Sequence, residues 1–214
     1  MSNVFVFTID QVASRAGTDQ VPNLLKDLHD LGTVIPFGRT VGDELQGVIE
    51  DPATAVEATR RVLAQNNWHI GIGIGPLKTE DRSLKRSAEG TSPSFALARA
   101  AVEAAKKKPG RAQVAVRVAG AKSDAVDAEQ PDSPASRLEA LLDLWAGVVG
   151  QRTSSQREII AAANARPDAT QADLAKRLGM TQQGVAKSLA ASLWRQENGI
   201  LPLAEYLFSA TATR

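Results

Sequence analysis

Asp10, Asp43 and Glu44 are the residues whose types and spacing speak first of chemistry. Asp10 closes the apolar run NVFVFTI, and the two adjacent acids sit in RTVGDELQGVI between two further apolar runs. Strand-end carboxylates that meet at one point can hold Mg2+, which takes a few carboxylate oxygens and leaves the rest of its octahedron to substrate phosphates. On that reading the three acids converge on one cation and a nucleotide completes its shell. The same residues also make a plain hairpin, with Gly42-Asp43 as the turn, Glu44 facing solvent and Asp10 capping the next helix.

A second set lies toward the other end, in QADLAKRLGMTQQGVAKSLAAS, residues 171–192. Ala175 is small where two helices cross, Gly179 permits a left-handed turn, and Leu174, Leu178, Met180, Val185 and Leu189 make a buried seam. This is the spacing of a helix-turn-helix. Thr181 caps its second helix, which leaves Gln182, Gln183, Lys187 and Ser188 outward. Glutamine pairs bidentately with adenine and lysine neutralises backbone phosphate, so the set suits double-stranded DNA. An ordinary αα-hairpin in a helical bundle has the same spacing.

The elements that must position these groups follow from hydrophobic period and breakers. NVFVFTI reads as a buried strand, and VPNLLKDLHDL puts Val21, Leu24, Leu25, Leu28 and Leu31 on one helical face. TVIPFG and ELQGVI flank the Thr40 to Asp43 turn as a hairpin, and Asp51-Pro52 starts the helix ATAVEATRRVLAQN. WHIGIGIG is a strand whose glycines leave one face nearly bare, so that a base, ribose or phosphate can approach the backbone at Gly73. Ser92-Pro93 opens the helix FALARAAVEAAKKK, and RAQVAVRV is the last strand. The order βαββαβ plus a further helix and strand predicts a ferredoxin-like α+β sandwich with helices on one sheet face.

The acidic, small-residue segment 119–136 reads as a linker between that domain, residues 1–118, and an all-α domain, residues 137–214. In the latter, Leu138, Leu141, Leu142, Trp145 and Val149 form a stripe that serves a bundle core or a dimer seam. Charge divides by segment. Residues 119–150 carry two basic and six acidic side chains, whereas 151–214 carry eight basic and five acidic. A formal net charge of +1 excludes a general polyanion binder and sends any DNA contact to a local patch. With no cysteine there are no disulfides or thiolate sites. No segment reads as a leader or a membrane span, so the expected compartment is the cytoplasm. His29 and His69 lack ligand-spaced partners, and Lys106, Lys107 and Lys108 suit a solvated helix end.

The linked motifs carry a resemblance. Residues 3–118 resemble the nucleotide-cyclase and GGDEF superfamily, with FTID as the metal strand, RTVGDELQ as the R-x-G-G-D-E-F hairpin, IGIGIG as the next strand and AAKKKPGRAQVAV as the closing motif. More narrowly, GDELQG followed by GIGIG and a helical carboxy-terminal segment is similar to the SatD family. The resemblance implies metal ligation by Asp10 and Asp43 with Glu44 at the fourth letter of the motif. It also implies ligand contacts at Arg39 and Gly42, and a phosphate-facing lysine at Lys106. Val41 in place of the first glycine, Leu45 in place of phenylalanine and QVASRAG after Asp10 depart from active diguanylate cyclases, so cyclic-di-GMP synthesis is not expected. Residues 171–192 resemble the recognition half of MarR-like and sigma-region-4-like regulators. The expectation is a homodimeric, DNA-binding transcriptional regulator whose degenerate cyclase-like domain senses a nucleotide. The alternative is an Mg2+-dependent nucleotidyl cyclase or nucleotidyltransferase.

Overall fold

The computed structural model describes residues 3–12, 17–110, 113–119 and 132–213. Apolar residues at successive positions from Val4 to Phe7 mean that a strand built there needs cover on both faces. Strand β1 (Asn3–Gln11) receives it at the centre of a five-stranded sheet with β2 (Ile35–Arg39), β3 (Glu44–Ile49), β4 (Trp68–Pro76) and β5 (Val114–Val118). The strand order is β2-β3-β1-β4-β5. Neighbours are antiparallel except β4 and β5, which are parallel. The eight α-helices are α1 (Val21–Leu28), α2 (Pro52–Gln65), α3 (Pro93–Ala105), α4 (Pro134–Gly150), α5 (Ser154–Asn164), α6 (Gln171–Leu178), α7 (Gln182–Ala191) and α8 (Trp194–Ala212), counted among the described residues. The fold is mixed α+β, and no helix among these residues is long and apolar enough to cross a membrane.

Helices lie on both sheet faces, not on one as expected. Phe5, Phe7 and Ile9 of β1, with Ile70, Ile72 and Ile74 of β4, pack against α1, α2, α4 and α8. On the other face Val4, Val6 and Val48 meet Phe95 and Ala98 of α3. The glycines of β4 explain α3's seat. A Cβ added at Gly71 would lie 2.2 Å from the Val102 nitrogen, and one at Gly73 2.2 Å from the Ser94 oxygen. The bare face of IGIGIG is therefore filled by a helix backbone, and Gly73 offers no approach to a ligand.

The segment expected as a separate helical domain is divided in two. Leu138, Leu142, Trp145 and Val149 of α4 and Ala204, Leu207 and Phe208 of α8 belong to the same core as β1, and Phe208 meets Phe5 edge-on at 5.1 Å. The α4 stripe is thus core and not a dimer seam. Only α5, α6 and α7 form a cluster of their own, around Ile159, Ile160, Leu174, Val185 and Leu189. Of the expected linker, residues 120–131 lie outside the described residues, and its end already belongs to α4, whose first turn is capped by Ser133 accepting from the Ser136 nitrogen. Helix α8 runs unbroken through Asn198-Gly199 and Pro202. Asn198 and Pro202 are exposed, so water can take the Asn198 carbonyl that the missing proline N–H leaves unpaired.

Candidate functional site

Two places hold the residues singled out from the sequence. The first is at the end of β1. Asp10 stands opposite Glu44 of β3 on one side and His69 of β4 on the other, and directly opposed residues project from the same sheet face. That face is the one α3 covers, and Lys106, the cap residue at the end of α3, reaches over it. Lys106 Nζ lies 2.9 Å from Asp10 Oδ1 and 2.9 Å from Glu103 Oε1. Burial pulls the lysine pKa down, but hydrogen bonds from its ammonium to Glu103 and Asp10 outweigh that and hold it above the usual value. His69 is half-buried, and its Nδ1 has no hydrogen-bond partner. Burial pushes the imidazole pKa down, with the Asp10 carboxylate working against this and the Lys106 ammonium with it.

The hairpin forms as expected but aims its groups elsewhere. Thr40 N donates to Glu44 O at 2.9 Å, and Gly42 takes φ of +61°, a conformation that glycine adopts without a Cβ penalty. Glu44 Oε1 accepts from the Thr40 hydroxyl at 2.5 Å. Asp43 lies in the turn itself. Arg39 folds back, with Nη1 donating to Gly42 O at 3.1 Å and Nη2 paired to Asp19 at 2.5 Å.

Asp10, Asp43 and Glu44 are not gathered into one three-carboxylate ligand set. No group of three His, Cys, Asp or Glu side chains that could hold a metal ion occurs among the described residues. Asp10 is matched instead by the chain's own ammonium, and Glu44 by a hydroxyl. Of the expected ligand contacts, Lys106 is brought to Asp10, while Arg39 and Gly42 stay at the turn and Gly73 lies under α3. Sequence reading passed over His69, whose place beside Asp10 follows from strand register and not from any spacing along the chain.

The second place is α7. Gly179 closes α6 with φ of +64°, and Thr181 Oγ1 accepts from the Gly184 nitrogen at 3.1 Å, so the turn and cap read from the sequence are both present. Val185 and Leu189 face inward. Thr181, Gln182, Gln183 and Lys187 are exposed and Ser188 is half-buried. Helix α7 carries no carboxylate, and Lys176 and Arg177 at the end of α6 are exposed beside its start. The outer side of α7 therefore offers amide and hydroxyl groups and an ammonium near a helix N-terminus, a combination that binds phosphate and base edges. Compared with models of known protein families and with curated proteins, the chain finds no significant match.

Proposed function

We propose that this protein is a DNA-binding transcriptional regulator in which α6 and α7 form a helix-turn-helix and α7 enters the major groove. The observation that carries the reading is the two-sidedness of α7: an apolar side sunk in the α5–α7 cluster and an outer side with exposed Gln182, Gln183 and Lys187 and no acid. An αα-hairpin serving packing alone has no need of an acid-free outer side. The strand order β2-β3-β1-β4, with β5 added beyond, supports a ferredoxin-like, cyclase-derived body, in keeping with the resemblance to the SatD family. That body is the sensor, and its ligand is a nucleotide or related phosphorylated molecule that meets Lys106 in competition with Asp10 and Glu103. A homodimer would place two copies of α7 on successive half-sites. Exposed Leu144, Leu203 and Tyr206 on α4 and α8 favour such self-association.

Fluorescence anisotropy with genomic fragments at low and moderate salt tests the DNA reading. Lys187→Ala is expected to weaken all sequences alike and to reduce the salt dependence, since it removes a phosphate contact. Gln183→Ala is expected to relax preference at one base pair by about 1–3 kcal/mol. No binding of any fragment at low salt would refute the reading. For the sensor, calorimetry with nucleoside triphosphates should give a binding heat that Lys106→Met abolishes.

A further inference from the structure

The α5–α7 unit leaves the body after α4 and rejoins it at α8, so its orientation is decided where the chain crosses out and back. The two crossings touch. Arg152, just beyond α4, donates from Nε to the Ser192 carbonyl at 3.0 Å, although the residues are 40 positions apart. Ser192 is the cap residue at the end of α7. The other arm of the guanidinium, Nη2, pairs with Glu197 Oε2 of α8 at 2.6 Å, and these side chains are only 3% and 6% exposed. Glu197 is held in turn by Trp145 of α4, whose Nε1 donates to Oε1 at 2.8 Å.

We infer that Arg152 is a positioning residue that aims α7 relative to the body, acting through the Ser192 carbonyl and held by Glu197 and Trp145. A guanidinium is planar and its Nε donates along a fixed direction, so the bond to the Ser192 carbonyl sets the angle of α7, while Nη2, in ion-pair contact with Glu197 but without a directed hydrogen bond, anchors the group on α8. The carbonyl it takes lies at the negative end of the α7 dipole, where a cation is favoured. Buried ion pairs are weak sources of stability, because apolar residues of similar volume often do as well or better; what such a pair can supply is geometry. On its far side a solvent cleft of about 750 Å3 separates Arg157 of α5 from Arg60 and Arg61 of α2, and a further tie is Trp194 of α8, which packs against the α5–α7 cluster and donates from Nε1 to Asn164 Oδ1 at 3.0 Å. The return crossing is narrow as well, passing through Leu193 with φ of +55°.

The significance of this aim rests on α7 being the DNA-contacting helix, but its test does not. The chain has no cysteine, so Ala53→Cys on α2 and Ala190→Cys on α7, both at exposed positions, accept spin labels cleanly in the full-length protein. Double electron–electron resonance should give one narrow distance peak with Arg152 in place. The Arg152→Met/Glu197→Leu double variant, which removes both charges together, should lose that peak while its unfolding midpoint stays near that of the parent. Arg152→Lys, which keeps the charge but not the fork, should lose it too and decides the matter if the double variant fails to fold. A peak equally narrow in the variants, or a broad distribution in the parent, overturns the inference whatever the DNA result. Loss of the peak in the variants, together with a parent that binds no DNA at low salt, upholds the positioning role and refutes the DNA reading alone.

Discussion

At the scale of single residues, position under a helix separates glycines that look alike in sequence. Gly42 has open space around a would-be Cβ, whereas Gly73 meets α3 backbone at 2.2 Å. Gly42→Ala is therefore expected to cost about 1 kcal/mol, the strain of a left-handed alanine. Gly73→Ala must push α3 off the sheet, with a cost of about 1–3 kcal/mol or more, as for other overpacked cores. Urea midpoints of the two variants measure the difference. Asp81 is another case, 3% exposed in the loop between β4 and α3. It accepts from the Thr91 nitrogen at 3.1 Å, from the Ser92 nitrogen at 2.8 Å and from the Ser92 hydroxyl. Burial pushes its pKa up, and the Ser92 and Thr91 donors more than offset this, leaving it below the ordinary carboxyl value. A carboxyl with a depressed folded-state pKa contributes its full stability above the unfolded value, about 3.9, and loses that contribution as pH falls through the lower folded value. Asp81→Asn should cost about 1–3 kcal/mol at neutral pH and flatten the acid limb of stability, read by denaturant unfolding between pH 2 and 6.

At the scale of elements, apolar period and breakers located the strands and most helices, because NVFVFTI, ELQGVI and WHIGIGIG, and the Asp51-Pro52 and Ser92-Pro93 starts, are local signals. Their assembly was less legible. Alternating glycines announce a close approach to β4 but not whether a ligand or a helix makes it, and here α3 does. The stripe of Leu138, Leu142, Trp145 and Val149 announces a buried face but not its partner, which is the sheet. Glu139 and Asp143 read as part of an acidic stretch, yet Glu139 Oε2 accepts from the Val116 nitrogen at 2.7 Å and Asp143 Oδ1 from the Val114 nitrogen at 3.3 Å. They occupy the outer edge of β5, which would otherwise offer unpaired donors to another strand. The α7 side chains were legible because their cap, turn and most of their seam are encoded within about twenty residues, although Met180, read into the buried seam, is exposed. Arg152 and Glu197 carried no sequence signal, since their pairing exists only once α4 and α8 lie side by side. Leu193 belongs to this scale too. It takes a left-handed conformation, which costs an ordinary residue about 1–2 kcal/mol, and is 41% exposed. Leu193→Gly should leave thermal stability unchanged or slightly raised, with relief of strain set against the greater freedom of an unfolded glycine.

At the scale of the whole molecule, the body is closed by a helix, α8, that comes after the α5–α7 excursion of the chain. Phe208 lies against Phe5 of the first strand, and Asn3 Nδ2 donates to the Ala212 carbonyl at 2.8 Å. Phe208→Ala should therefore destabilise the sheet domain itself by about 3–5 kcal/mol, seen as a lower midpoint of one cooperative transition. The same route has a further consequence. Because Arg152 and Ser192 meet, residues 153–191 between them are a cassette whose two ends already touch. Replacing 153–191 with a short glycine bridge should leave a sheet domain that folds by itself, and other three-helix modules could be spliced at that joint without disturbing what lies beneath.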